Sequence, residues 1–90
     1  MRPLSDIRQE IDSIDDQIVD LLARRFALAP QVIAYKKANG IPVVIQERID
    51  EVINRNVERA KGTAVPPELV AELYRQIIDA YCAMEESKIG

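Results

Sequence analysis

Hydrophobic positions recur at helical spacing along nearly the whole chain. Leu4, Ile7, Ile11, Ile14, Ile18, Leu21, Leu28 and Val32 fall three or four residues apart, with one gap at position 25. The stripe keeps its register across Pro30, so the pattern predicts one long helix over residues 4 to about 38, bent at the proline. Ser5 or Asp6 can cap its start, and Asn39-Gly40 followed by Pro42 stops it. GIPVV, residues 40–44, is a short connection. Ile45, Ile49, Val52, Ile53 and Val57 then mark a second helix from about 45 to 60, ended by Lys61-Gly62-Thr63. Pro66-Pro67 opens a third, where a missing N–H costs nothing in the first turn. Its apolar face carries Leu69, Val70, Leu73, Tyr74, Ile77, Ile78, Tyr81 and Met84, from about 67 to 87. No stretch alternates with period two for long enough to compete as a strand. The fold class is all-α, with one long and two shorter helices in a single domain spanning residues 1–90.

Element lengths extend this reading. The long helix spans roughly 50 Å, against roughly 24 and 30 Å for its neighbours. Two short helices cannot cover the whole of the longer stripe. Antiparallel pairing with a second copy covers the excess, so an intertwined homodimer is expected.

Composition narrows the chemistry. Twelve Lys and Arg against fifteen Asp and Glu give a net charge of -3, which argues against a nucleic-acid or polybasic membrane surface. The chain has no histidine, no tryptophan and one cysteine. An internal disulfide, a cysteine-based zinc cluster and an imidazole triad are excluded. Asp12, Asp15, Asp16 and Asp20 read as a solvated face without metal-site partners, so no metal is expected. The acidic start, MRPLSDIRQEID, is unlike a signal peptide, and no apolar run approaches a membrane span. A cytoplasmic protein is expected.

The charges that interrupt the apolar stripes are the informative ones. With Leu4, Ile11, Ile18 and Val32 at heptad position a and Ile7, Ile14, Leu21 and Leu28 at d, Arg25 occupies an a position. Arg8 and Lys36 fall at e, flanking the same seam. Glu85 continues the stripe of Tyr74, Ile78 and Tyr81, and Glu47 sits in the first turn of the second helix. Each has an ordinary reading. Charges at e make salt bridges or rims, Glu47 suits a helix N-terminus, and Tyr81 and Cys82 suit a core. Arg25 resists that treatment, because a buried guanidinium needs a partner such as Glu85 or an anionic ligand. Taken together, two arginines and a lysine near a helical interior describe a pocket for a small dianion or a ligand with two carboxylates. Chemistry there rests on positioning and electrostatics, with no cofactor.

IRQEIDSIDDQIVDLLARRFALAPQVIAYKK, QERIDEVI and ELYRQIIDAYCAMEE together resemble the three helices of the all-helical chorismate mutase family, over essentially the whole chain. The family includes relatives that are isochorismate-pyruvate lyases and 4-amino-4-deoxychorismate mutases. The resemblance implies rearrangement of chorismate to prephenate, on the way to aromatic amino acids. It also implies roles. Arg8 reaches across the dimer to one carboxylate, and Arg25 holds the other within the subunit. Lys36 contacts the ether oxygen and a carboxylate, while Glu47 stands beside the C4 hydroxyl. Val43 contributes backbone from the closing loop, and Tyr81 lines the pocket. Three departures stand out. Gln46 replaces a frequent arginine, and the loop between Lys36 and Glu47 is short, nearer to the lyase-like relatives. Glu85 stands where glutamine usually donates to the ether oxygen, a role that requires its carboxyl to be protonated. A non-catalytic helical dimerisation module is the reading from another class; it predicts no turnover and tolerance of Arg25→Leu.

Overall fold

A computed structural model of the chain describes residues 1–89 and is all-helical, in the order α1 (Leu4–Phe26), α2 (Ala29–Asn39), α3 (Gln46–Ala60) and α4 (Pro67–Ile89). The single helix expected over residues 4–38 is therefore broken once, and its two parts bring the helical segments to four. Pro30 supplies the reason. It has no N–H for the Phe26 carbonyl, so the ladder changes partners just before it. The Ala27 N–H still reaches the Ala23 carbonyl at 2.9 Å, but the Leu28 N–H shifts to the Arg25 carbonyl at 3.2 Å. Both residues keep right-handed helical dihedrals, which is why the apolar register survives the break. At the far end of α2, Gly40 adopts φ 62°, a left-handed cap that glycine tolerates without strain. Its N–H and that of Ile41 both point to the Lys36 carbonyl.

The second and third predicted helices appear close to their expected bounds, as α3 and α4. These two pack on each other, and α2 packs on α4. Ala29 is completely buried, and a small side chain there allows the start of α2 to approach its neighbours closely. Ile53 and Ala60 of α3 with Ile77 and Ile78 of α4 complete the buried apolar set among the described residues. This core is small for ninety residues.

α1 stands apart from it. None of its residues is buried, and Leu4, Ile11, Ile14, Ile18 and Leu21 are each 49–59% exposed. The molecule is correspondingly elongated, 58 × 24 × 15 Å. No described helix is long and apolar enough to cross a membrane.

Candidate active site

A cavity of about 340 Å³ opens where the end of α1, α2, the loop before α3, α3 and α4 converge. Val32, Ile45, Ile49, Val52 and Ile78 make its apolar wall. Set into that wall are Arg25, Lys36, Arg48 and Glu85. Three positive charges against one negative leave the lining at +2. Such a lining is complementary to a compact dianion.

Lys36 is the hinge of the arrangement. Its Nζ donates to Glu85 Oε2 at 2.7 Å and to the Val43 carbonyl at 2.9 Å. The two side chains are only 14% and 4% exposed. Glu85 is the one buried charged residue among those described, and its position on the α4 stripe put it there. The sequence reading offered Glu85 as partner to Arg25; the structure pairs it with Lys36 instead. Arg25 is half-buried, and its guanidinium lies over the Tyr81 ring, 5.1 Å from the centroid. A cation–π contact thus does what an ion pair was expected to do. Among the described residues no acceptor engages the guanidinium donors, which can therefore meet an anion.

Tyr81 joins α4 to the end of α1. Its hydroxyl donates to the Arg25 carbonyl at 3.4 Å, and its ring meets Phe26 at 5.3 Å between centroids. Burial raises the Tyr81 phenol above its ordinary value, with Arg25 opposing the rise and Glu85 adding to it. Cys82 lies in the cavity wall rather than in the core. Burial pushes its thiol up, nearby Glu85 pushes it further, and Lys36 pulls it back in part.

The sequence-derived residues divide accordingly. Arg25, Lys36, Val43, Tyr81 and Glu85 come together around one cavity. Val43 faces Lys36 through its backbone carbonyl. Glu47 is exposed on α3 and does not line the cavity. Arg8 is exposed on α1, seventeen residues before Arg25, about 25 Å up the helix. Arg48 was missed. It lies on the Ile45, Ile49 and Val52 face of α3 at the i+3 and i−4 positions, so the same periodicity could have found it. Its resting partner is Glu51, one turn along the helix. Among the described residues no cluster of three or more potential metal ligands occurs.

An all-helical frame with a cationic, half-open pocket has the charge and size to suit a small dianion. Residues 7–86 match the model of the chorismate mutase type II family, and the chain belongs to that family. Its relatives include the bifunctional chorismate mutase/prephenate dehydratase of Aquifex aeolicus, 33% identical over 96% of this chain and 25% of the relative. The chorismate mutase of Methanocaldococcus jannaschii is 30% identical over 92% of this chain and 84% of its own length. The 4-amino-4-deoxychorismate mutase of Streptomyces venezuelae is 28% identical over 92% of this chain and 81% of its own. The chain spans about a quarter of the length of the longer curated relatives it matches. No solved structure gives a significant match.

Proposed function

We propose that this chain is a chorismate mutase, converting chorismate to prephenate in a site completed by a second copy. The observation that carries the reading is the cavity where Arg25, Lys36 and Arg48 face one carboxylate, Glu85, within an aliphatic wall. Chorismate carries two carboxylates and an ether bridge. The rearrangement breaks the ether C–O bond while the methylene carbon of the enolpyruvyl arm bonds to the ring. Electrons move in one concerted cycle, with no proton, nucleophile or cofactor consumed.

Two contributions accelerate such a reaction. Pinning both carboxylates holds the flexible arm over the ring in its reactive form, which removes conformational freedom before the barrier. Arg25 and Arg48 serve one subunit's share of that task. As the C–O bond breaks, negative charge grows on the ether oxygen. The Lys36 ammonium, held in place by Glu85 and the Val43 carbonyl, meets that charge more strongly in the transition state than in the ground state.

A second copy supplies what one chain lacks. The exposed apolar stripe of α1 pairs with its counterpart, and Arg8 of the partner subunit arrives at the substrate's other carboxylate. Glu47, outside the cavity of one chain, stands at the rim beside Arg48. That position also bears on the substrate: the resemblance sets Glu47 beside the C4 substituent, where a carboxylate accepts from a hydroxyl or pairs with an ammonium. Chorismate is taken as the substrate on the family match, with its 4-amino analogue as the alternative.

The test is to mix purified protein separately with chorismate, isochorismate and 4-amino-4-deoxychorismate and identify products by mass. Prephenate as the fastest product is the expected result. Salicylate with pyruvate assigns the lyase reaction instead, and the amino-substituted product assigns the 4-amino substrate to the same pocket. No turnover of any of the three overturns the enzyme reading.

A further inference from the structure

A second cavity, of about 310 Å³, abuts the first and is lined by Arg25, Arg48, Glu51, Val52, Arg55, Asn56 and Tyr74. Arg25, Arg48 and Val52 belong to both cavities, whereas Arg55, Asn56 and Tyr74 line only the second. Its lining differs in kind. Val52 is its one aliphatic side chain, where the first cavity has an aliphatic wall, and three guanidiniums, a carboxylate, an amide and a phenol face the space. Arg48 is paired with Glu51 across one helical turn, so that carboxylate is both part of the wall and a competitor for the guanidinium. The Asn56 amide donates to the Val52 carbonyl at 2.8 Å, which fixes its orientation on α3. Three arginines against one glutamate again leave +2, now in a polar setting without an aliphatic wall to hold a ring.

We infer that this second cavity binds a small phosphate-type oxyanion, and that its occupation excludes substrate by engaging Arg25 and Arg48. Planar guanidinium forks match the oxygen pairs of phosphate. A tetrahedral dianion displaces Glu51 from Arg48 and bridges it to Arg55, which lies on the same face of α3 about 10 Å along the helix. Arg25 then turns from the first cavity to the second. The two ligands compete without sharing a cavity, and the protein reads the level of a phosphate or phosphate ester through its affinity for substrate. The competitive arm rests on the proposed activity; the binding arm does not.

The probes are inorganic phosphate and glycerol 3-phosphate, with sodium chloride at matched ionic strength as control. They are titrated into isotopically labelled protein and followed by backbone amide shifts. Saturable shifts clustered at Arg48, Arg55, Asn56 and Tyr74 are expected, absent with chloride. Tighter binding of the ester identifies a phosphorylated metabolite as the occupant, and tighter binding of phosphate identifies the free ion; both support the site. Arg55→Ala, a change on the exposed side of α3, weakens either probe about tenfold, the scale of one charge-assisted contact. In the assay, phosphate raises the apparent KM for chorismate and leaves kcat unchanged. Arg55→Ala keeps the basal rate and loses that response. Linear shifts equal to those of chloride overturn the inference, as does binding indifferent to Arg55→Ala. So does the absence of shifts because a second copy covers these arginines. Saturable binding in a protein without turnover sustains this site while overturning the proposed activity.

Discussion

At the residue scale, the account turns on Lys36 and its two partners. Replacing Lys36 by Ala removes the ammonium proposed to meet the ether oxygen, and on that proposal kcat falls about 10²- to 10³-fold by analogy with the loss of one transition-state donor. Sedimentation should show the proposed dimer unaffected by the change; equal loss of assembly and activity would instead make Lys36 structural. Glu85→Gln keeps an acceptor for Lys36 and adds an N–H donor, so its kcat stays within about tenfold of wild type, whereas Glu85→Leu leaves the Lys36 ammonium without its partner and loses more. A second readout comes from Cys82. With its thiol raised by burial and by Glu85, less thiolate is present at any given pH than in a free cysteine. Alkylation by iodoacetamide is therefore slower than that of a free thiol at neutral pH, quickens as pH rises, and slows again when a dicarboxylate fills the cavity. Fast alkylation at neutral pH, unaffected by ligand, would contradict the placement of Cys82 in the wall. The positions of Arg25, Lys36 and Glu85 were legible in the sequence because each interrupts or flanks an apolar stripe. Which charge pairs with which was not, since heptad position says nothing of side-chain reach. Arg48 shares a helix face with Ile45, Ile49 and Val52, but a charge on that face reads as a rim until the cavity beneath it is seen.

At the element scale, the break between α1 and α2 sets the angle at which Arg25 meets Tyr81. The sequence marked Pro30 as the weak point, and continuity of the stripe argued for a single helix. Both observations hold, because Ala27 and Leu28 change hydrogen-bond partners without leaving the helical region. Proline chemistry could locate the break, whereas its mildness depended on tertiary packing around Ala29. That packing makes a prediction. Ala29 is 0% exposed, so Ala29→Leu forces α2 away from its neighbours and costs about 1–3 kcal/mol in thermal or urea unfolding. A neutral effect would mean that α2 is held more loosely than described. The bounds of α3 and α4 were the easiest to read, since Pro66-Pro67 and Lys61-Gly62 are strong local stops.

At the scale of the whole molecule, ninety residues bury few apolar side chains within one chain, while α1 presents a stripe that nothing in the same chain covers. Helix lengths alone make that surplus visible, because 1.5 Å per residue gives the first stripe more reach than its neighbours can match. The proposed second copy would supply the surface that covers it. The most direct test uses the division of the site between copies. Arg8→Ala and Arg25→Ala are each expected to be nearly inactive alone. In a heterodimer of the two variants, one of the two sites has both arginines and the other has neither. Random exchange of subunits makes half of the dimers mixed, so mixing the inactive variants should restore prephenate formation to about a quarter of the wild-type rate. Recovery near that level establishes a shared cationic site acting on chorismate. No recovery, under conditions where subunits are shown to exchange, contradicts it.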